Sequence, residues 1–426
     1  MQLKALTLLA VLALTISALP SAAAANPARS DDAPVDFHEW RSNHDFRTGK
    51  AEGLRPGRGG LVIGHPAGTV EHTEPDLGTT RTYEYGTWTS PAYRHGFDAT
   101  QLVASWNAET PEDTWLRVEM RGRTATGATA WYTMGRWAFG DSDVLRTSVP
   151  DQSDANGRVD VDTFVAAAGV TLRSYQLRVT LYREAGKKVT PTLAMVGAMT
   201  SAIPDRFTVA PSPPAGAWGR ELPVPRYSQN IHIGEYPEYG GGGEAWCSPT
   251  STEMVVEYWG RGPKADDLAW VDPSFADPSV DHAARFTYDK DYDGTGNWPF
   301  NTAYAASFGL AAHVTRLGSL AELERYILAG VPVITSQSFL ESELDGAGYG
   351  TAGHLMVVVG FTADGDVIAN DPASSSNDAV RNVYQREQFE NIWLRTKRYD
   401  ADGDVASGSG GIAYVIAPVD KKLPRG

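Results

Sequence analysis

The chain has 426 residues, 42% of them hydrophobic and 21% charged, with a formal net charge of −15. That length exceeds one compact core, so two domains plus extensions are expected. The acidic balance argues against nucleic acid or an anionic membrane as partner, without identifying a substrate.

Residues 1–25 read as a signal peptide rather than as part of the fold. Lys4 gives a positive start, Ala5 to Leu19 is apolar, and Ser21-Ala-Ala-Ala-Ala25 supplies small residues for cleavage. The expected localisation is secreted, by the general route, since no twin arginine precedes the apolar run. No later stretch is long and apolar enough to be a membrane span. Residues 26–36 are expected to be a flexible tether.

From 37 to 205 the pattern is short and two-periodic. Strands are expected at Arg81–Trp88, Gln101–Trp106, Thr114–Met120, Ala130–Met134, Gly157–Val161 and Tyr175–Tyr182, separated by Gly, Asn, Asp and Pro. Many short strands and few helical segments indicate an all-β sandwich, jelly-roll-like in character. Trp88, Trp106, Trp115, Trp131 and Trp137 fall here. Inward-facing aromatics are what such a core requires, and a ligand platform, for a cell wall or a docked substrate, is the second reading.

Residues 206–221 contain Val209-Ala-Pro-Ser-Pro-Pro-Ala-Gly-Ala-Trp218 and read as a Pro-rich linker. The second domain, 222–426, is read as α+β. It opens with a glycine run, and the only cysteine, Cys247, follows at Trp246-Cys-Ser-Pro-Thr250. Met254, Val255, Tyr258 and Trp259 then recur at helical spacing up to Gly260, and Pro249 suits a first turn. Cys247 is therefore placed at a helix N-terminus, where unsatisfied amides favour thiolate over thiol. In an exported protein a lone cysteine is more readily a reactive thiol than half of a bridge, although free Cys is often just a small core residue.

An Asp-rich, helical region is expected to about Phe286, a helix over Asn301–Phe308, a strand at His313–Leu317, and a helix from the capping box Ser319-Leu-Ala-Glu322 to Leu328. Strands follow at Val331–Thr335, His354–Phe361, Asp366–Ala369 and Ile412–Ile416. Asp289-Lys-Asp-Tyr-Asp-Gly294 starts like a calcium loop, but Phe300 stands where the closing glutamate belongs, so a polar turn is expected and no metal site. Gly296-Asn-Trp298 beside it is a candidate groove wall.

A cysteine nucleophile needs a base, an orienter for that base and donors for the oxyanion. His354 stands between a glycine-rich loop and the apolar strand Leu355-Met-Val-Val-Val-Gly360, a polar residue at the mouth of a buried strand. The turn Thr362-Ala-Asp-Gly-Asp366 folds Val367-Ile-Ala-Asn-Asp-Pro372 back along it. Counting from the turn leaves Asp371 short of direct opposition, so a bulge or wider loop must correct the register. Asp371 is the first choice as orienter and Asn370 the second. Gln229, with the backbone N–H of Cys247, could donate to a tetrahedral oxyanion.

Tyr227-Ser-Gln-Asn230, Cys247-Ser-Pro-Thr-Ser251, Gly353-His-Leu-Met-Val-Val-Val-Gly-Phe361 and Val367-Ile-Ala-Asn-Asp-Pro372, in this order, resemble the papain-like cysteine peptidases of the C39 family, and in particular its secreted C39-like branch. The resemblance covers about 200 residues from Leu222. It implies Gln229 for the oxyanion hole, Cys247 as nucleophile, His354 as base and Asp371 as orienter. In that family the cysteine usually lies between glycines; here its neighbours are Trp246 and Ser248, and a long insert, Ile231 to Ala245, separates Gln229 from Cys247. With neither membrane spans nor a phosphate loop, the chain does not suit the transporter-borne leader processing of other members. The expectation is a monomeric thiol hydrolase acting on a peptide or protein substrate, with no cofactor. An acyl transferase or amidase with the same thioester, or a non-catalytic binding protein keeping the fold, are the alternatives.

Overall fold

The computed structural model describes residues 33–424; the segment read as a signal peptide lies outside them, as does most of the expected tether. Val35 and Asp36, assigned to that tether, instead begin a strand, Val35–Trp40, whose backbone pairs along Thr192–Ser201.

The N-terminal region carries two antiparallel sheets. One has eight strands and is centred on Gln101–Glu109 and Thr192–Ser201; the other has six, centred on Thr79–Thr89, Ser174–Glu184 and Thr114–Arg123. Alternation in these strands sends one row of side chains inward. Leu102, Ala104 and Trp106 from the first sheet and Trp88, Leu116, Val118 and Val179 from the second share a single buried core. Trp137 joins that core, and Trp115 is buried, stacked on Tyr182 with ring centroids 3.8 Å apart. Trp131 differs from these four. It is part-exposed, with the guanidiniums of Arg178 and Arg121 over its ring at 4.3 and 4.6 Å.

The C-terminal region is mixed. A seven-stranded antiparallel sheet runs in the order Leu310–Arg316, Ile412–Pro418, Val333–Phe339, Thr351–Phe361, Val367–Asn370 and Arg381–Tyr384, with Arg220–Glu221 added to Thr351–Phe361. The apolar run Leu355 to Val359 is buried on both faces at the middle of this sheet, which explains its unbroken hydrophobicity. The cysteine helix, Cys247–Tyr258, packs on that strand, Ser251 donating its hydroxyl to the Leu355 carbonyl. The Asp-rich stretch expected to be helical is so only over Pro278–Thr287; residues 260–277, punctuated by Gly262, Pro263 and Pro273, run in turns.

Segment 206–221 is strapped to the second region through its backbone. The Glu324 carboxylate, fully buried, accepts from the amides of Ala215 and Ala217, and Glu390 accepts from Ser212. The two regions are also joined directly. Asn107 exchanges hydrogen bonds with the backbone of Ala312, Ser105 accepts from the Val314 amide, and Arg285 grips Asp141 through two contacts of 2.7 and 3.0 Å. Phe300, Ala303 and Tyr304, on the helix Trp298–Ser307, pack into the N-terminal core. Among the described residues no helix is long and apolar enough to cross a membrane.

Candidate active site

Cys247 is the first residue of its helix and part-buried, and it lines a cleft of about 950 Å³. The glycine run before it has a physical purpose. Gly240, Gly241 and Gly242 all adopt positive φ, a conformation that costs other residues energy, and a Cβ on Gly243 would lie 2.4 Å from the Gln229 carbonyl oxygen. The long insert from Ile231 to Ala245 thus folds back on Gln229. Its Glu244 carbonyl accepts from the Gln229 side-chain amide at 2.7 Å, which fixes that side chain on the cleft wall while leaving its second N–H uncommitted.

The neighbours of the cysteine turn away from the cleft. Trp246 is fully buried, its ring N–H bonded to the Tyr239 carbonyl, and it packs with Val280 and Ala284. Ser248 is also fully buried and shares a hydrogen bond of 2.9 Å with the Tyr414 hydroxyl. Both therefore occupy core positions rather than the approach to the sulfur.

His354 and Asp371 meet because of one extra residue. Phe361 pairs with Val367 and Gly360 with Ile368; Val359 is then passed over, and Val358 pairs with Ala369 and Val357 with Asn370. Without this bulge Asp371 would continue the ladder opposite Val357 and point to the other face of the sheet. With it, the same continuation reaches Met356, on the face of His354, since residues two apart point the same way. His354 Nε2 lies 2.8 Å from Asp371 Oδ1. Asn370, the second choice as orienter, faces elsewhere and donates to the Pro225 carbonyl at 3.0 Å.

Asp371 is 1% exposed, and donors surround it. The Ala373 amide bonds Oδ1, while the hydroxyls of Tyr384 and Tyr349 bond Oδ2 at 2.6 and 2.8 Å. Burial alone would raise this carboxyl, but the His354 charge and these donors outweigh it and hold it below the usual range. For His354 burial works the other way, pulling the imidazole down; the Asp371 charge and hydrogen bond, with a hydrogen bond and charge from Cys247 beside it, raise it to about 10. The imidazole is therefore protonated at neutral pH, a cation seated between a carboxylate and the sulfur. Neither tyrosine was legible as a site residue. Tyr349 had a faint signal, lying in the glycine loop ahead of His354, and Tyr384 had none.

Gly296 and Trp298 do line the cleft, with Tyr292, Asp293 and the glycine loop before His354. Asp289 does not. It is buried at the joint, accepting from the Ser148 amide at 2.8 Å, from Asn297 at 2.8 Å and from the Tyr292 amide, so its carboxylate is committed to holding that turn.

Residues 36–201 match the model of the peptidase C39 N-terminal domain, and residues 221–401 that of the Peptidase_C39 like family. By these matches the chain belongs to the C39-like peptidase family. A solved structure described as a C39-like peptidase from Bacillus anthracis is 18% identical, over 48% of this chain and 99% of that one, at a TM-score of 0.30. No curated protein matches. Membership of the C39-like family points to cysteine peptidase chemistry, and Cys247 is the one cysteine available to this C39-like chain for it.

Proposed function

We propose that this chain is a papain-like thiol hydrolase that cleaves a peptide or amide bond, with Cys247 as nucleophile, His354 as proton carrier, Asp371 as its orienter and Gln229 in the oxyanion hole. The observation that carries the proposal is the buried His354–Asp371 pair, held at 2.8 Å, beside Cys247 at a helix start on the wall of one cleft. In the resting site the Cys247 sulfur stands beside the His354 imidazolium. The sulfur attacks the substrate carbonyl carbon, and the free N–H of Gln229 and the backbone N–H of Cys247 receive the developing oxyanion. His354 gives its proton to the departing amine, leaving a thioester on Cys247. It then takes a proton from water as that water attacks, and the acid product leaves with the thiolate restored. Asp371, saturated by four donors, keeps the ring aimed throughout.

The cleft suits an extended, cationic peptide. Glycines 348, 350, 353, 294, 296 and 408 keep its walls low, and among the described lining residues Glu244, Asp293 and His354 are the charged ones, with no Lys or Arg. The N-terminal sheets are read as the two layers of a sandwich and the domains as 37–205 and 222–426, joined by 206–221. Secretion of a monomer after removal of residues 1–25 completes the reading.

Hydrolysis of a fluorogenic peptide library by the mature chain tests it. Turnover favouring Lys- or Arg-containing peptides is expected. Cys247→Ala should lower it at least about 10³-fold, and Gln229→Ala should lower kcat by roughly 10²–10³. Cleavage that survives Cys247→Ala would contradict the proposal.

A further inference from the structure

A second cluster of chemically capable side chains lies beside the Gln229 turn, outside the lining of the cleft. The short helix Gln229–His232 ends in His232, fully buried; three residues on comes Glu235, and Asp281 reaches in from the helix Pro278–Thr287. His232 Nδ1 is 2.7 Å from Glu235 Oε2 and 3.5 Å from Asp281 Oδ2. Asp281 is 0% exposed, and neither of its oxygens has a hydrogen-bond partner. His232 Nε2 is unpartnered too, while Nδ1 donates its proton to Glu235, so a metal ion bound at Nδ1 would take that proton's place. The charges acting on Glu235 come from His232 and Asp281. Two carboxylates thus converge on one imidazole, and Asp281 meets it at ion-pair distance with no hydrogen bond on either oxygen, a costly arrangement for a buried carboxylate.

We propose that His232, Glu235 and Asp281 form a site for a divalent transition-metal ion, zinc first among them, which fastens the Gln229 turn to the helix Pro278–Thr287. The three donor atoms all lie within 4.8 Å of one another. Tetrahedral zinc with bonds of about 2.0–2.1 Å sets its ligand atoms roughly 3.3 Å apart, so the His232–Asp281 spacing already fits and the Glu235 hydrogen bond has only to open. A dication cancels the two carboxylate charges, and a water completes the set. One imidazole nitrogen with two carboxylates suits zinc better than calcium or magnesium, which prefer oxygen ligands throughout. The sequence carried a partial signal, His232 and Glu235 three apart; Asp281, 46 positions beyond Glu235, is joined to them only by the fold.

The test uses the full mature chain without a metal-affinity tag, stripped with EDTA, dialysed and titrated with zinc chloride by calorimetry, with elemental analysis and thermal melts in parallel. One zinc per chain is expected, with Tm raised by about 5 °C at a hundredfold excess over Kd. Asp281→Asn and Glu235→Gln should each weaken binding at least about tenfold; Glu235 is only part-buried, so its variant keeps the test sharp if Asp281→Asn folds poorly. No uptake by the wild type overturns the proposal. So does uptake unchanged in both variants, which would mark an adventitious ion only. None of these readouts depends on peptide cleavage.

Discussion

Asp371 illustrates how a single carboxylate is kept charged inside a protein. Its two oxygens accept four hydrogen bonds, two of them from the phenols Tyr349 and Tyr384, and the imidazolium of His354 supplies the compensating charge. Tyr384→Phe removes one donor from a buried ion without changing volume much. The expected cost is about 1.5–3 kcal/mol of stability, read as a lower denaturation midpoint with unchanged slope. Because the Asp371 charge also holds the His354 proton, kcat should fall by about tenfold while KM stays nearly constant. A variant that matches the wild type in both stability and kcat would place Tyr384 outside the site's support. At the same scale, Trp246 and Ser248 replace the glycines usual beside the cysteine without crowding it, because each side chain is spent in the core.

The elements that carry chemistry were legible where periodicity and turn chemistry speak directly. The helix after Cys247 followed from Pro249 and the apolar spacing, and the observed Cys247–Tyr258 begins at Cys247 itself. The strand read from His354 is part of Thr351–Phe361, and the one read from Asp366 corresponds to Val367–Asn370. What the pattern left open was their register. Three consecutive valines give no sign of which one the ladder skips, yet the skipped Val359 decides whether Asp371 shares a face with His354. Composition gave the linker as Pro-rich, but not the acidic residues Glu324 and Glu390 that pin its amides from more than a hundred positions away. Local signals name elements well; which distant side chain completes them depends on packing that no local window contains.

For the whole molecule the joint between the two regions reaches the wall of the cleft. Asp162, from the N-terminal region, accepts from the Trp298 amide at 2.8 Å, and Trp298 lines the cleft. Burial raises Asp162 to about 7, against the pull of the Trp298 and Thr163 hydrogen bonds, and the nearby Asp289 charge adds to the rise. A carboxyl whose folded value exceeds its unfolded value of 3.8 holds its proton more tightly when folded. Its stabilising contribution is therefore complete below about pH 4 and declines as pH rises through about 7. Asp162→Asn, which keeps an acceptor for the Trp298 amide, should abolish that part of the slope. Thermal melts of the two proteins at pH 4, 5.5, 7 and 8 should give a difference in Tm that grows in favour of the variant toward pH 8. A difference that is flat across this range would contradict the assignment. The aromatic content of the N-terminal region also belongs at this scale, since Trp88, Trp106, Trp115 and Trp137 are core residues, and Trp131 between its arginines is the exception.

Everything proposed for catalysis rests on Cys247 being a nucleophile activated by His354, and the rate of alkylation of this single cysteine reads that directly. Iodoacetamide labelling of the native chain at pH 6, where an ordinary thiol of pKa about 8.5 is well under 1% thiolate, should outpace a small free-thiol standard. His354→Ala should slow it by about tenfold or more. Labelling no faster than the standard, and unaffected by His354→Ala, would contradict the account.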